Sequence, residues 1–362
     1  MRSTEEQEAL RSAVRSLLTR HAGASAWRPL TEQVGVAGLC VPEEYGGAGY
    51  GTREAHVVLE ELGRVLSPVP YLGSAVLTVR ALLDSGDEAA CDRLLPRIAD
   101  GAALGSLAWA EGGSWAPEAI RATATAREDG SWRIDGAKEH VLDGAQADVL
   151  LLAARTKAGV SLFEVSADDP GVHRETTVTM DQSRSLARLA CAGATGRLIG
   201  AEGAGALVLN HVMDLACTAL AAEQLGAAER CLELTVEHVT QRVQFGRPVG
   251  SFQAVKHRLA DAYVLVESAR SAALGAADAA AENSTVGSAA ELTRHASGAK
   301  SACSEAFSAV AGEMIQLHGG IGITWEHDAH RYFKRAHGSA QLFGSPAWHR
   351  DRLATELGLP RG

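Results

Sequence analysis

The residues best suited to binding a phosphorylated cofactor lie in a short run after position 241. Residues 242–248 read RVQFGRP, and Gln253 follows shortly after. The guanidinium of Arg242 is planar and permanently charged, so it can pair with phosphate oxygens through parallel hydrogen bonds. Phe245 offers a flat apolar surface against a ring, and Gly246 allows a tight turn. Taken alone, the run also fits an ordinary helix C-terminus, where an arginine complements the helix dipole.

A second group of candidate binding residues lies in a glycine-rich segment closer to the C-terminus. Gln316 is followed by Gly319, Gly320 and Gly322. Glycines let a backbone come close enough to a phosphate for its N–H groups to donate hydrogen bonds. Taken alone, this segment also fits a glycine cluster that ends a helix. The presence of both motifs in one chain favours a site for a phosphate-bearing cofactor.

Long helices are expected to position both motifs. Alanine-rich amphipathic segments over 207–242, 252–281, 289–317 and 325–336 predict four helices with short connections, which is typical of a bundle. The first motif then lies where one helix ends, and the second motif lies where another ends.

The rest of the chain shows two other sequence patterns, one helical and one typical of short strands. Residues 1–102 read as helices separated by proline and glycine. Short alternating runs such as 120–127 and 149–154, split by glycine and aspartate turns, predict a β domain over 103–200. With the helical bundle over 201–362, the sequence predicts an α+β chain.

Composition excludes several classes of function. The net charge of −10 and the absence of a basic run give no support for nucleic-acid binding. The N-terminus lacks the apolar core of a signal peptide, and no window approaches the roughly 18 uninterrupted apolar residues of a membrane span. Six scattered cysteines without a C-x-x-C pair indicate free thiols in a reducing compartment. We therefore expect a cytoplasmic protein that binds no membrane.

Over nearly its whole length the chain resembles the acyl-CoA dehydrogenase family. That resemblance implies a helical N-terminal domain, a middle β-barrel-like domain and a C-terminal four-helix bundle, with FAD as cofactor. The i, i+3 spacing of His327 and His330 permits two metal ligands. Because the Trp-Glu-His-Asp run at 325–328 recurs in family members without metals, we expect no metal site here. In the family, the matching motif residues contact the FAD of a neighbouring subunit: Arg242, Phe245, Gln253, Gln316, Gly319 and Gly320.

The same resemblance locates two positions for the catalytic glutamate, and neither holds a carboxylate. Many family members carry it in a Tyr-Glu-Gly-Thr run, but residues 342–345 read LFGS, so Phe343 takes its place. Other branches carry it in a D-L-E-R run on the first bundle helix, where residues 214–217 read DLAC with Ala216 in its place. Glu223, two helical turns further along, is the remaining candidate for a base. A polar residue at a helix contact is the simpler interpretation of Glu223.

The predicted β domain also departs from the family pattern. Residues 110–115 read AEGGSW where the family usually has T-E-P-x-x-G-S-D, so the run is shortened and lacks the proline and the aspartate. The W-x-x-x-G-x-K element is retained at residues 132–138. In the next segment Leu142 replaces the serine or threonine that bonds near flavin N5 in the family. The groups that would contact the chain's own flavin ring are therefore altered.

The motifs that contact a neighbour's FAD in the family are thus retained. In the motifs for the chain's own flavin ring and substrate, the family's residues are replaced. This pattern resembles the subunit lacking the catalytic glutamate in actinobacterial heterotetrameric (α2β2) acyl-CoA dehydrogenases that act on bulky substrates such as steroid side chains. It implies α,β-dehydrogenation of an acyl-CoA thioester, a catalytic partner subunit, and electron-transfer flavoprotein as electron acceptor. Two alternatives stay open: a homotetrameric flavoenzyme of secondary metabolism that uses Glu223 or no base, and a non-enzymatic structural subunit of an assembly.

Overall fold

The N-terminal part of the chain is helical. In this computed structural model residues 4–282 and 289–359 are described. Thr4 caps the first helix, because its hydroxyl accepts the N–H of Gln7 while the Gln7 side chain accepts the N–H of Thr4. The helices are α1 (Glu5–Arg20), α2 (Trp27–Val34), α3 (Thr52–Arg64), α4 (Val79–Ser85), which continues a wide helical turn over Tyr71–Thr78, and α5 (Glu88–Ala99).

The middle of the chain forms a sheet that closes on itself. Its strands are β1 (Gly105–Ala108), β2 (Thr123–Ala126), β3 (Trp132–Leu142), β4 (Val149–Arg155), β5 (Val160–Ser166), β6 (Val172–Thr176) and β7 (Leu186–Ile199). The pairings run β4–β2–β3–β7–β5 and return from β5 to β4, while β1 adds to β4 and β6 adds to β7. Ile134, Leu150, Leu152 and Phe163 belong to one buried cluster within this domain. The pairing around the ring is that of a small barrel.

The C-terminal part is a helical bundle built around one long buried helix. Its elements are α6 (Gly205–Gln241), a hairpin of β8 (Val243–Gln244) and β9 (Arg247–Pro248), α7 (Gln253–Glu282), α8 (Ala289–His318), α9 (Ala329–Gln341) and α10 (Pro346–Glu356). By length and composition α6 could cross a membrane, but most of its apolar stretch is buried against the rest of the protein. We therefore describe α6 as the core helix of the bundle.

Two glycines fix the crossing of α3 and α6. A Cβ placed on Gly63 would lie 2.0 Å from the carbonyl oxygen of Glu223, and one on Gly226 would lie 1.9 Å from the carbonyl oxygen of Glu60. Because neither contact leaves room for a side chain, the two backbones touch directly at this point. The crossing joins the N-terminal helices to the bundle.

The predicted order of helical, β and helical parts is confirmed. Three details of the C-terminal part differ from the sequence prediction. The helix expected over 325–336 begins at Ala329, because residues 319–323 form a separate short helical turn and Thr324 is extended. His327 therefore precedes α9 and does not share a helix face with His330. The last helix, α10, was not predicted, and Ser345 caps it by accepting the N–H of Trp348.

Candidate functional site

The first motif forms the exposed hairpin at the end of α6. The turn between β8 and β9 consists of Phe245 and Gly246, with φ of 54° and 76°. A turn with two positive φ angles suits a tight hairpin, and glycine takes up that conformation without strain. The Phe245 side chain is 91% exposed. Val243 in the same hairpin is 55% exposed, so the hairpin presents two apolar side chains to solvent.

Two side-chain contacts bring the second motif to the same end of the bundle. The rings of His238, near the end of α6, and His318, at the end of α8, stack with centroids 4.2 Å apart. An ion pair between Arg258 and Glu313, at 2.7 Å, joins the start of α7 to the last turns of α8. The hairpin, the start of α7 and Gln316 therefore lie at one end of the bundle.

We call these residues the bundle-end surface: Arg242, Phe245, Gln253, Gln316, Gly319 and Gly320. All six are exposed. Within residues 4–282 and 289–359, the structure gives no hydrogen-bond partner to the side chains of Arg242, Gln253 or Gln316. A Cβ on Gly319 or Gly320 would meet no atom within 4 Å, so their backbone is open to a ligand. The bundle-end surface thus offers an uncommitted cation, two amides and open backbone, which fits a pyrophosphate-bearing cofactor.

An apolar rim borders this surface on the segment that follows Gly320. Ile323 and Trp325 are 72% and 76% exposed. Lys334 lies over the Trp325 ring at 4.5 Å from its centroid. The rim therefore adds an exposed apolar patch beside the bundle-end surface.

Phe343 lies in a packed aromatic cluster rather than in an open active site. Its side chain is fully buried and its ring stacks on Trp109 at 5.9 Å, with Trp115 edge-on at 5.0 Å. The backbone has φ of 61°, a conformation that is strained for a phenylalanine. His349 stabilises it by placing Nε2 2.9 Å from the Phe343 carbonyl oxygen. No carboxylate occupies this position.

The alternative glutamate position on α6 is likewise closed. Ala216 is fully buried, and the neighbouring Asp214 accepts a hydrogen bond from the Thr293 hydroxyl at 2.6 Å and pairs with Arg352. These contacts tie α6 to α8 and α10. Asp214 therefore has a structural role in the bundle.

Cys217 lies close to a histidine that no sequence motif connects with it. Its sulfur is 3.6 Å from Nε2 of His349, which is 132 residues away in the chain. Burial raises the pKa of the Cys217 thiol to about 12 and lowers the pKa of His349 to about 3. A neutral thiol beside a neutral imidazole is not an activated nucleophile.

Glu223 is held between two buried arginines. Its Oε1 lies 2.5 Å from Nη1 of Arg335 and also contacts Arg184. Arg335 pairs with Asp181 as well, at 2.9 Å. Burial alone would raise the pKa of Glu223, but the two guanidinium groups outweigh that effect and hold the pKa below its ordinary value. A general base needs a raised pKa near the working pH, so Glu223 is unsuited to that role.

The retained β-domain residues serve the domain's own structure. Lys138 is buried and pairs with Glu111 at 2.5 Å, and Glu111 also accepts the N–H groups of Arg121 and Ala122. Leu142 is buried in the same apolar cluster as Phe343, and its carbonyl accepts the Ser106 hydroxyl at 2.6 Å. The Leu142 position therefore presents an aliphatic side chain without a hydrogen-bonding group.

A cavity of about 510 Å³ lies between the β domain and the C-terminal helices. No local sequence pattern predicts it, because its walls come from segments far apart in the chain. Phe343 does not line this cavity, although its neighbours in the chain do. The wall includes Trp115, His140, Leu186, Gln341, Leu342 and Ser345.

Among the described residues, no group of three or more His, Cys, Asp or Glu side chains is placed to hold a metal ion. His327 packs against His318, with ring centroids 4.3 Å apart. The histidines near the bundle end thus form a ring stack.

Known proteins similar to this chain include several acyl-CoA dehydrogenases. The family models for the N-terminal and C-terminal domains of acyl-CoA dehydrogenase match residues 4–102 and 203–358. Acyl-CoA dehydrogenase IpdE2 of Mycobacterium tuberculosis is 39% identical over 99% of both chains. The solved Tcur3481-Tcur3483 steroid ACAD matches with a TM-score of 0.85 and 32% identity over 98% of both chains. The ChsE4-ChsE5 complex from Mycobacterium tuberculosis matches with a TM-score of 0.87 and 30% identity, covering 100% of this chain and 99% of that chain.

Proposed function

The chain belongs to the acyl-CoA dehydrogenase family, and we propose that it is the subunit that completes the FAD site of a different, catalytic subunit. Members of this family are oxidoreductases that act on CH–CH bonds of acyl-CoA thioesters, and their cofactor is FAD. In this proposal the assembly is an α2β2 heterotetramer in the cytoplasm, and electron-transfer flavoprotein accepts its electrons.

The proposal rests on the contrast between the bundle-end surface and the two positions where the family has its catalytic glutamate. The bundle-end surface keeps Arg242 exposed and without a partner in the described residues, whereas the two glutamate positions hold the buried Phe343 and Ala216. Glu223, the remaining candidate base, is held in ion pairs with Arg184 and Arg335. The chain can therefore donate to a phosphate, but it offers no group at these positions to remove an α-proton.

The cofactor fits the residues at the bundle end. Arg242 would pair with the pyrophosphate, Gln253 and Gln316 would donate amide hydrogen bonds, and Phe245 would pack against a flat ring. The open backbone of Gly319 and Gly320 would approach the cofactor closely. FAD, when bound, supplies the acceptor for the hydride that leaves the β-carbon of the acyl group. The partner subunit would supply the carboxylate that takes the α-proton.

Similarity to named proteins supports the choice of partner and substrate. Two solved proteins like this chain carry paired names, Tcur3481-Tcur3483 and the ChsE4-ChsE5 complex, and the first is a steroid ACAD. We therefore propose a second acyl-CoA dehydrogenase chain as the partner and a bulky, steroid-derived acyl-CoA as the substrate.

Expression of the chain alone and together with a second acyl-CoA dehydrogenase chain from the same organism tests the proposal. Flavin absorbance and acyl-CoA-dependent dye reduction are measured in both preparations. We expect a colourless, inactive chain alone and a yellow, active complex, because loss of a general base lowers rates by about 10²–10⁴-fold. A yellow, active chain alone would favour a homotetrameric flavoenzyme, and a colourless complex would favour a structural subunit.

A further inference from the structure

A second cavity, separate from the one beside the β domain, lies between the N-terminal helices and the bundle. It has a volume of about 570 Å³ and is bounded by residues 40–52, α3, α4, α6 and the end of α7. On α6 its wall is made by Leu215, Thr218 and Ala219, whereas Ala216 and Phe343 do not line it. We propose that this cavity binds a neutral, mainly aliphatic small molecule that carries one hydrogen-bonding oxygen.

The size and the walls of the cavity suit such a molecule. The cavity opens to solvent on the side of residues 43–51, most of which are exposed. The volume falls within the roughly 300–1,000 Å³ of small-molecule sites. Small side chains on the two long helices, Ala219 and Ala280, create the space, and both are buried. The helix walls are mainly aliphatic, with Leu59, Val79 and Leu83 among them, whereas residues 40–52 contribute polar groups such as Glu43 and Thr52.

His56 supplies the polar feature of the wall. It is 3% exposed, and neither ring nitrogen has a hydrogen-bond partner within residues 4–282 and 289–359. Burial lowers the pKa of His56 to about 4, with the charge of Arg11 adding to the effect, so the ring is neutral at pH 7. A neutral imidazole offers one donor and one acceptor, and leaving both unsatisfied is unfavourable. An alcohol or carbonyl oxygen in the cavity would satisfy one of them.

Two other polar groups of the wall, Thr218 and Arg80, are engaged within their own helices, and Glu43 adds a carboxylate that disfavours an anionic ligand. The Thr218 hydroxyl donates to the Asp214 carbonyl of its own helix at 3.0 Å. Arg80 already pairs with Asp84, so its charge is balanced within α4. A carboxylate placed beside neutral His56 and the aliphatic wall would be desolvated without a counter-charge, which is costly.

Titration of the purified chain with decanol tests this inference without any need for flavin or partner. Binding is measured by calorimetry at pH 8, with decanoate as the charged counterpart of equal chain length. We expect saturable binding of one decanol per chain, a raised melting temperature, and binding of decanoate at least tenfold weaker. Absence of saturable decanol binding, or tighter binding of decanoate, overturns the proposal.

Two variants locate the ligand. Ala219→Phe fills the cavity from α6 and should abolish binding, and Ala9→Phe adds the same side chain at an exposed position of α1 and should leave binding unchanged. His56→Phe keeps the ring shape, removes the nitrogens and should weaken decanol binding about three- to tenfold, as expected for one lost hydrogen bond. Undiminished binding in a folded Ala219→Phe protein places the ligand elsewhere and overturns the proposal. If His56→Phe and the wild type bind decanol with equal affinity, His56 does not hydrogen-bond to the ligand, and the proposed chemistry is overturned.

Discussion

Replacing Glu223 with glutamine removes the carboxylate that lies between two buried arginines. Arg335 is 2% exposed and keeps Asp181 as a second partner, but Arg184 loses its carboxylate contact. Breaking a buried ion pair by removing one partner costs about 3–5 kcal/mol, because the remaining charge is left uncompensated. We expect the free energy of unfolding to fall by about that amount in Glu223→Gln.

Urea denaturation followed by far-UV circular dichroism at pH 7 measures this change. Glu237→Gln is the matched control, because Glu237 is exposed on the same helix, and its effect should stay within about 0.5 kcal/mol. Since the pKa of Glu223 is lowered, its contribution is fully present above pH 4.5 and is lost as the pH falls through the folded-state pKa. The difference between wild type and Glu223→Gln should therefore shrink at acidic pH. A Glu223→Gln protein as stable as Glu237→Gln, but with turnover abolished in the complex, would refute our interpretation and identify Glu223 as a base.

Two further perturbations follow from the buried groups. Phe343→Glu places an unpaired carboxylate against Trp109 and Trp115. We expect the free energy of unfolding to fall by about 3 kcal/mol or more, and dye reduction by the chain alone to stay at the background rate. Full activity from this single change would show that the flavin pocket is intact. Burial lowers the pKa of His349 in the folded chain to about 3. Between pH 6.5 and 3 the imidazole is therefore protonated in the unfolded chain and neutral in the folded chain, so the free energy of unfolding falls as the pH is lowered through this range. His349→Gln should reduce the slope of unfolding free energy against pH by up to about 1.4 kcal/mol per unit in that range, and an unchanged slope would show that His349 is not the responsible group.

The sequence predicted those parts of the structure that depend on local pattern. Helical periodicity and glycine motifs located the ends of α6 and α8, and the structure brings Arg242 and Gln316 to the same end of the bundle. Their role towards FAD stays a prediction. The start of α9 was misplaced because the short turn over 319–323 has no distinct sequence signal.

Contacts between distant segments could not be predicted from the sequence. Cys217 and His349 are 132 residues apart, and Glu223 meets Arg335 from 112 residues away. Both cavities have walls drawn from several elements, so no local motif marks them. The sequence could identify Phe343 as unable to accept a proton, but only packing shows that it fills an aromatic cluster.

The measurement that tests the account most directly is the flavin-to-protein absorbance ratio of the co-purified complex carrying Arg242→Ala, taken after dialysis. Loss of a charge-assisted hydrogen bond of about 1.5–3 kcal/mol predicts roughly 10- to 150-fold weaker FAD binding and hence a lower ratio. The melting temperature of the isolated chain should change little, since Arg242 is exposed and lacks a partner among the described residues. Arg188→Ala, at an exposed position of β7, should retain the wild-type ratio. A wild-type ratio in Arg242→Ala would contradict the claim that this chain completes its partner's cofactor site.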